Sequence, residues 1–153
     1  MNPVTLNQRD VDFLLYEFLD TSSLLKRERY AEHSKETFDA TISGAKHIAE
    51  KYYANHYQKG DATEPTFDGE SVSLIPEIQS AWDATAEFGL LGASYDFDEG
   101  GVQLPEVICK VCGTYIQAAN SGSSGYYFVT AAASNVIRAF GDEHQKALFL
   151  ISM

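Results

Sequence analysis

The sequence predicts an all-α fold. Apolar residues recur at i, i+3, i+4 and i+7 in successive stretches, and clusters of Gly, Pro, Ser and Asp separate them. No stretch alternates with the period of a strand, and no internal repeat is visible. About six helices are expected.

The first spans residues 8 to 19, with Asn7 as N-cap and Val11, Leu14, Leu15, Phe18 and Leu19 as a one-sided stripe. A second runs from Phe38 to Gln58 with Ile42, Ala45, Ala49 and Tyr52 on one face and Lys, Glu and His on the other, stopping at Gly60. GDATEPTFDGESVSLIP, residues 60 to 76, reads as a surface connection. Pro76 opens a third helix marked by Ile78, Ala81, Trp82, Thr85 and Phe88. A loop with Gly89, Gly92, Gly100 and Gly101 follows, closing on Pro105, the expected first residue of a fourth helix. There Val107, Ile108, Val111, Cys112, Tyr115, Ile116 and Ala119 form a stripe too wide for a half-exposed helix, which predicts burial. NSGSSG ends that helix. Val129, Ala132, Ala133, Val136, Ile137 and Phe140 mark a fifth, rich in small residues and stopped by Gly141. Asp142 and Gln145 have the spacing of a capping box for a sixth helix that continues through KALFLISM.

The 153 residues fit one domain with its own core. No run approaches the roughly 18 apolar residues of a membrane span. A net charge of -11 disfavours nucleic acid as a partner, and Lys26, Arg27 and Arg29 read as a solvated basic turn. The N-terminus carries neither a secretory nor a transit pattern, so cytoplasmic residence is the default expectation. Cys109 and Cys112 stand i, i+3 inside a helix without a second ligand pair, and His33, His47, His56 and His144 show no ligand spacing. Packing is expected for the cysteines and no metal for any of them.

Gly100 and Gly101 suit a tight turn, and Pro105 starts the buried helix at a fixed φ, so the glycine loop reads as a positioning device. Asp96, Asp98 and Glu99 at its centre read as solvated. The GSSG turn matches no phosphate-loop signature.

The order of these segments resembles the N-terminal helical domain of the flavin-dependent acyl-CoA dehydrogenases. It is most similar to the larger branch that acts on unusual acyl groups, of the 3-methylmercaptopropionyl-CoA dehydrogenase type. RDVDFLLYEFLD (residues 9 to 20) matches RDxxFxLxExLD; GDATEPTFDGESV, EFGLLGASYDFDEGG with LP, AANSG and FGDEHQKALFL follow in the family's order. One departure is Gln103, in DEGGVQLP, where the family pattern has glycine.

The resemblance implies an orthogonal helical bundle over residues 1–153, with the family's β middle domain and C-terminal helical domain absent. It implies α,β-dehydrogenation of an acyl-CoA thioester by a longer protein, with FAD held by the other domains and not by this chain alone. The complete enzyme is expected to be a homo-oligomer. No catalytic or metal-binding residue is assigned here. In the family, the two helices after the glycine loop form one wall of the acyl pocket. The matching face carries Ser124, Phe128 and Ala132; the Phe128 ring either shortens the cavity toward small acyl groups or packs as a core residue against the preceding helix. An alternative expectation is a stand-alone interaction module or the non-catalytic partner of a flavoprotein subunit.

Overall fold

The structure, a computed structural model, describes residues 6–150 and is all-α apart from one small hairpin. Helix α1, Gln8–Asp12, is capped by Asn7, whose Oδ1 accepts from the Arg9 amide at 2.9 Å. It continues as a wider π-type turn over Phe13–Phe18, where the Leu19 amide bonds the Leu14 carbonyl. The extra residue in that turn breaks the 3.6-residue period. Val11 and Leu15 face the core, whereas Leu14, Phe18 and Leu19, expected inside with them, are exposed.

The second expected helix divides. Its first part, α2 (Lys35–Ile48), starts earlier than Phe38, because Ser34 and Thr37 cap each other's backbone reciprocally. It widens over Ala49–Tyr53, tightens over Ala54–His56 and passes into α3, Tyr57–Ala62, which runs through Gly60. The widening turns Tyr53, 1% exposed, into the core instead of Tyr52. It also buries His56, which the sequence assigned to a polar outer face.

The connection from 60 to 76 is largely exposed but contains β1 (Thr66–Phe67) and β2 (Val72–Ser73), an antiparallel pair that the sequence reading did not include. Two residues per strand are too few to show an alternating period. Helix α4, Pro76–Glu87, has Pro at its start and turns Ala81 and Thr85 inward. Helix α5, Glu106–Ala119, is capped by Pro105, which precedes the helix by one residue rather than beginning it. Helix α6 is Ser124–Phe140 and α7 is Glu143–Phe149, the latter with the expected reciprocal cap between Asp142 and Gln145. The remainder of the expected sixth helix, residues 151–153, lies outside the described residues.

The core is built where α5 lies along α2. Ile108, Cys112, Tyr115 and Ile116 of α5 are 0% exposed and meet Phe38, Ile42, Ala45 and Ala49 of the α2 rod. Burial of each large apolar side chain contributes about 1.5–3 kcal/mol. Helix α6 leaves much of its apolar stripe open. Ser124, Tyr127 and Ser134 are buried, while Val129, Val136 and Phe140 are 70%, 59% and 86% exposed. Its inward face combines aromatic packing, Tyr127 and Phe128 against Gly113 of α5, with polar bonds from Ser134 and Arg138 to the glycine loop.

Two glycines make opposite predictions. A Cβ on Gly101 would run into the backbone oxygens of Tyr95 and Gly92, which cannot give way. On Gly44 it would meet only the ring end of Phe88, a side chain 42% exposed and able to swing outward. Gly101→Ala is expected to cost about 1–3 kcal/mol. Gly44→Ala should stay within about 1 kcal/mol of the parent, since alanine is the better helix former. Urea denaturation of both variants measures the contrast, and equal stability of Gly101→Ala and the parent would contradict it.

Candidate functional site

The glycine loop between α4 and α5 is anchored at its base and clamped at its centre. Leu90, Ala93 and Leu104 enter the core, and the Leu104 amide bonds the Ala93 carbonyl at 2.8 Å. Gly100 has φ +83°, a left-handed conformation that glycine adopts without strain. Gln103, at the glycine position of the resembled pattern, has φ +52°. A side chain thus stands in a left-handed position, and Gln103 uses its amide to reach Asp96 Oδ1 at 3.3 Å.

Asp96 and Glu99 are not simply solvated. Arg138 of α6 donates from Nε to Glu99 Oε2 at 2.8 Å and from Nη2 to Asp96 Oδ2 at 3.3 Å. Arg29, on the turn Glu28–Tyr30, donates to Asp96 Oδ1 and, at 3.2 Å, to the Ser94 carbonyl. His33 donates a ring N–H to the Val102 carbonyl at 2.7 Å. Tyr95 meets the Ser134 hydroxyl under the Arg138 guanidinium, which lies 4.8 Å from the ring centroid. Arg29 is thus a clamp residue instead of part of a free basic turn. Its partner is 67 positions away, a separation at which charge pairing leaves no local pattern. The Arg29 guanidinium, with Gln103 and Arg138 beside it, holds the Asp96 carboxyl below its ordinary range. Arg138 does the same for Glu99.

Behind the clamp lies a cavity of about 260 Å³ between the loop, α5 and α6. Leu90, Leu91 and Ser94 form one side, Cys109 the floor, and Phe128 and Ala132 the α6 side. Two of the three residues singled out on α6 therefore meet at one cavity. Phe128 also packs on Gly113 of α5, where an added Cβ would lie 3.3 Å from its ring, and stands edge-on to Tyr127 at 5.2 Å. Ser124 is not on that wall; it is 1% exposed and its hydroxyl donates to the Ser121 carbonyl at 2.8 Å. Burial pushes the Cys109 and Cys112 thiols up to about 12, so neither is a ready nucleophile.

A second polar junction ties α6 to the rest. The His56 Nδ1–H donates to the Tyr52 carbonyl at 2.8 Å, which leaves Nε2 to accept from the Ser123 hydroxyl at 2.7 Å. Asn120 donates to the Tyr53 carbonyl at 3.1 Å and accepts from the Ser123 amide at 3.0 Å. Tyr53 bonds Thr85 of α4. No spacing in the sequence announces this junction, because its members come from three separate segments, around residues 52–56, at Thr85 and at 120–123. Among the described residues no three Cys, His, Asp or Glu side chains gather as a metal site, and no helix is long and apolar enough to cross a membrane.

The family model described as acyl-CoA dehydrogenase, N-terminal domain, matches residues 35–153. No curated protein matches the chain.

The clamp makes stability depend on pH. Because the folded carboxyls of Asp96 and Glu99 lie below their unfolded values, their contribution is complete above the ordinary carboxylate range near ~4 and is lost as pH falls through the lowered values. Thermal melts between about pH 6 and pH 2.5 should therefore show a shallower acid decline for Asp96→Asn than for the parent. Parallel declines would remove the clamp from the acid response.

Proposed function

Because the chain belongs to the acyl-CoA dehydrogenase family through its N-terminal domain, we propose that it is the N-terminal part of an enzyme that desaturates an acyl-CoA thioester between its α and β carbons. Its contribution is one wall of the acyl pocket. The observation that carries this reading is the cavity on which Phe128 and Ala132 of α6 face the glycine loop. Leu90, Leu91, Phe128 and Ala132 give the cavity an apolar side suited to a short acyl chain, beside the polar Ser94, Glu106, Lys110 and Asn135, and its volume falls below the roughly 300 Å³ at which pockets for drug-sized ligands begin. A small acyl group fits that size, in line with the resemblance to the branch acting on unusual acyl groups. The Phe128 ring, held by Gly113 and Tyr127, is the natural stop for chain length.

FAD accepts the β-hydride in the family, but the residues of this chain do not fit it. The N-terminus of α6 is the most plausible phosphate cradle by position, yet its amides are already taken. Ser123 N bonds Asn120 Oδ1, Ser124 N the Asn120 carbonyl, Gly125 N the Gly122 carbonyl and Tyr126 N the Ser123 carbonyl. In this proposal the flavin, the α-proton base and the rest of the pocket come from other domains of a complete, homo-oligomeric, cytoplasmic enzyme. The exposed apolar face of α6, with Val129, Val136 and Phe140, supports the need for such cover. It equally supports a non-catalytic helical subunit of a flavoprotein. Whether the coding frame continues into a barrel and a second helical domain separates the two.

Two experiments test the assignment. The purified chain, incubated with FAD and desalted, is expected to show no flavin absorbance; retained bands would place a flavin site on this domain. Assembled with the flavin-binding domains, Phe128→Ala should raise the ratio of kcat/KM for longer over shorter acyl-CoA esters several-fold, since each methylene accepted is worth roughly 1–3 kcal/mol. An unchanged ratio with a stability loss of about 3–5 kcal/mol would make Phe128 a core residue alone.

A further inference from the structure

We propose that Arg138 and Arg29, with Asp96 and Glu99, form an ionic latch that holds the centre of the glycine loop against α6 and so sets the width of the cavity behind it. The inference rests on the acyl-pocket reading for its purpose, though not for its geometry.

The loop divides mechanically. Its base is fastened by burial: Leu90, Ala93 and Leu104 are 4%, 5% and 3% exposed. Its centre, from Ser94 to Glu99, has only Tyr95 inside, while Phe97 is 51% exposed. The centre is held by Arg138 on Asp96 and Glu99, by Arg29 on Asp96 and the Ser94 carbonyl, by Ser134 on Tyr95, and by backbone bonds from the Gln103 amide to the Tyr95 carbonyl at 2.9 Å and the Gly101 amide to the Asp96 carbonyl at 3.0 Å. Ser94 and Leu91 form the loop side of the cavity, while Asn135, Ala132 and Phe128 form the side on α6 that leads directly to Ser134 and Arg138. The contacts between loop and α6 thus close one end of the same gap whose other end is the cavity.

The strength of the clamp suits a latch. The side chains of Arg29, Asp96, Glu99 and Arg138 are 43%, 36%, 37% and 28% exposed, so water and salt compete for them. Partly exposed pairs of this kind hold by small amounts and release readily.

Cys109 reports the state of the latch, because it lines the cavity, whereas Cys112, one turn on, is 0% exposed and lines no part of it. Both are present in the natural chain, and peptide mass spectrometry resolves their alkylation by N-ethylmaleimide. Arg138→Met is expected to raise the Cys109 rate about fivefold, the factor equivalent to about 1 kcal/mol of lost closure, and to leave Cys112 unchanged. Arg138→Lys, which keeps the charge without the planar fork, should fall between the two. High salt should accelerate Cys109 in the parent and not in Arg138→Met. Should Arg138→Met fold poorly, Glu99→Gln removes one partner of Arg138 and leaves its stem in place. An unchanged Cys109 rate in a folded variant would overturn the latch, and so would a parallel rise at Cys112, which would mark a general loosening. No acyl-CoA enters the assay. The latch can therefore fail while the chain-length effect of Phe128→Ala stands, and the reverse.

Discussion

Helix α5 carries a wide apolar stripe, and the rest of the domain is arranged to keep that stripe from water. Its residues Ile108, Cys112, Tyr115 and Ile116 are completely covered. The α2 rod covers one side with Phe38, Ile42 and Ala45. Pro105 and Leu104 bring the glycine loop over its first turn, and Tyr127 of α6 closes the flank. With its apolar stripe covered and only Glu106, Lys110, Thr114, Gln117 and Ala118 left to solvent, α5 sets the positions its neighbours take, and each must arrive by a connection of set geometry. That is why the loop before α5 uses a left-handed glycine and a backbone approach at Gly101 that excludes any side chain.

Apolar burial fixes α2 against α5, but polar groups fix α6. At its start Asn120, Ser123 and His56 join it to the widened part of the α2 rod; toward its end Ser134 and Arg138 join it to the glycine loop. Hydrogen bonds are directional where hydrophobic contact is not, so they determine which face of α6 turns inward. The outcome reverses what hydrophobicity would choose. Val129, Val136 and Phe140 face outward and Ser124 and Ser134 inward. Val129, Val136 and Phe140 thus form an open apolar face in a chain that belongs to the acyl-CoA dehydrogenase family through its N-terminal domain.

The cavity between these two kinds of fastening has walls of unequal firmness. Its floor on α5 belongs to the core. Its α6 wall is set by hydrogen bonds at both ends, and its loop wall by partly exposed ion pairs. Substrate-facing surfaces in enzymes are drawn from the less stable parts of a structure, because those are the parts able to admit and release a ligand.

Much was legible in the residues themselves. The all-α class, the burial of α5, the Asn7 and Asp142 caps, Pro76 at the head of α4 and the turn at Gly100 all follow from local chemistry, in which neighbours in sequence are neighbours in space. The resemblance carried by the glycine loop and by the segment around Gly141 also pointed to Phe128 and Ala132, which do share a cavity. The sequence misplaced what depends on a change of helical pitch or on a distant partner. Widened turns at Phe13–Phe18 and Ala49–Tyr53 shift the register, exposing Leu14 and burying Tyr53 and His56. Arg29 looked solvated because Asp96 is brought to it only by folding. Sequence by itself determined which segments are helical and which helix must be buried, since periodicity and capping are local. Tertiary structure alone decided which face of α6 points inward and where the loop's charges go, since both are settled by directional bonds between groups far apart in the chain.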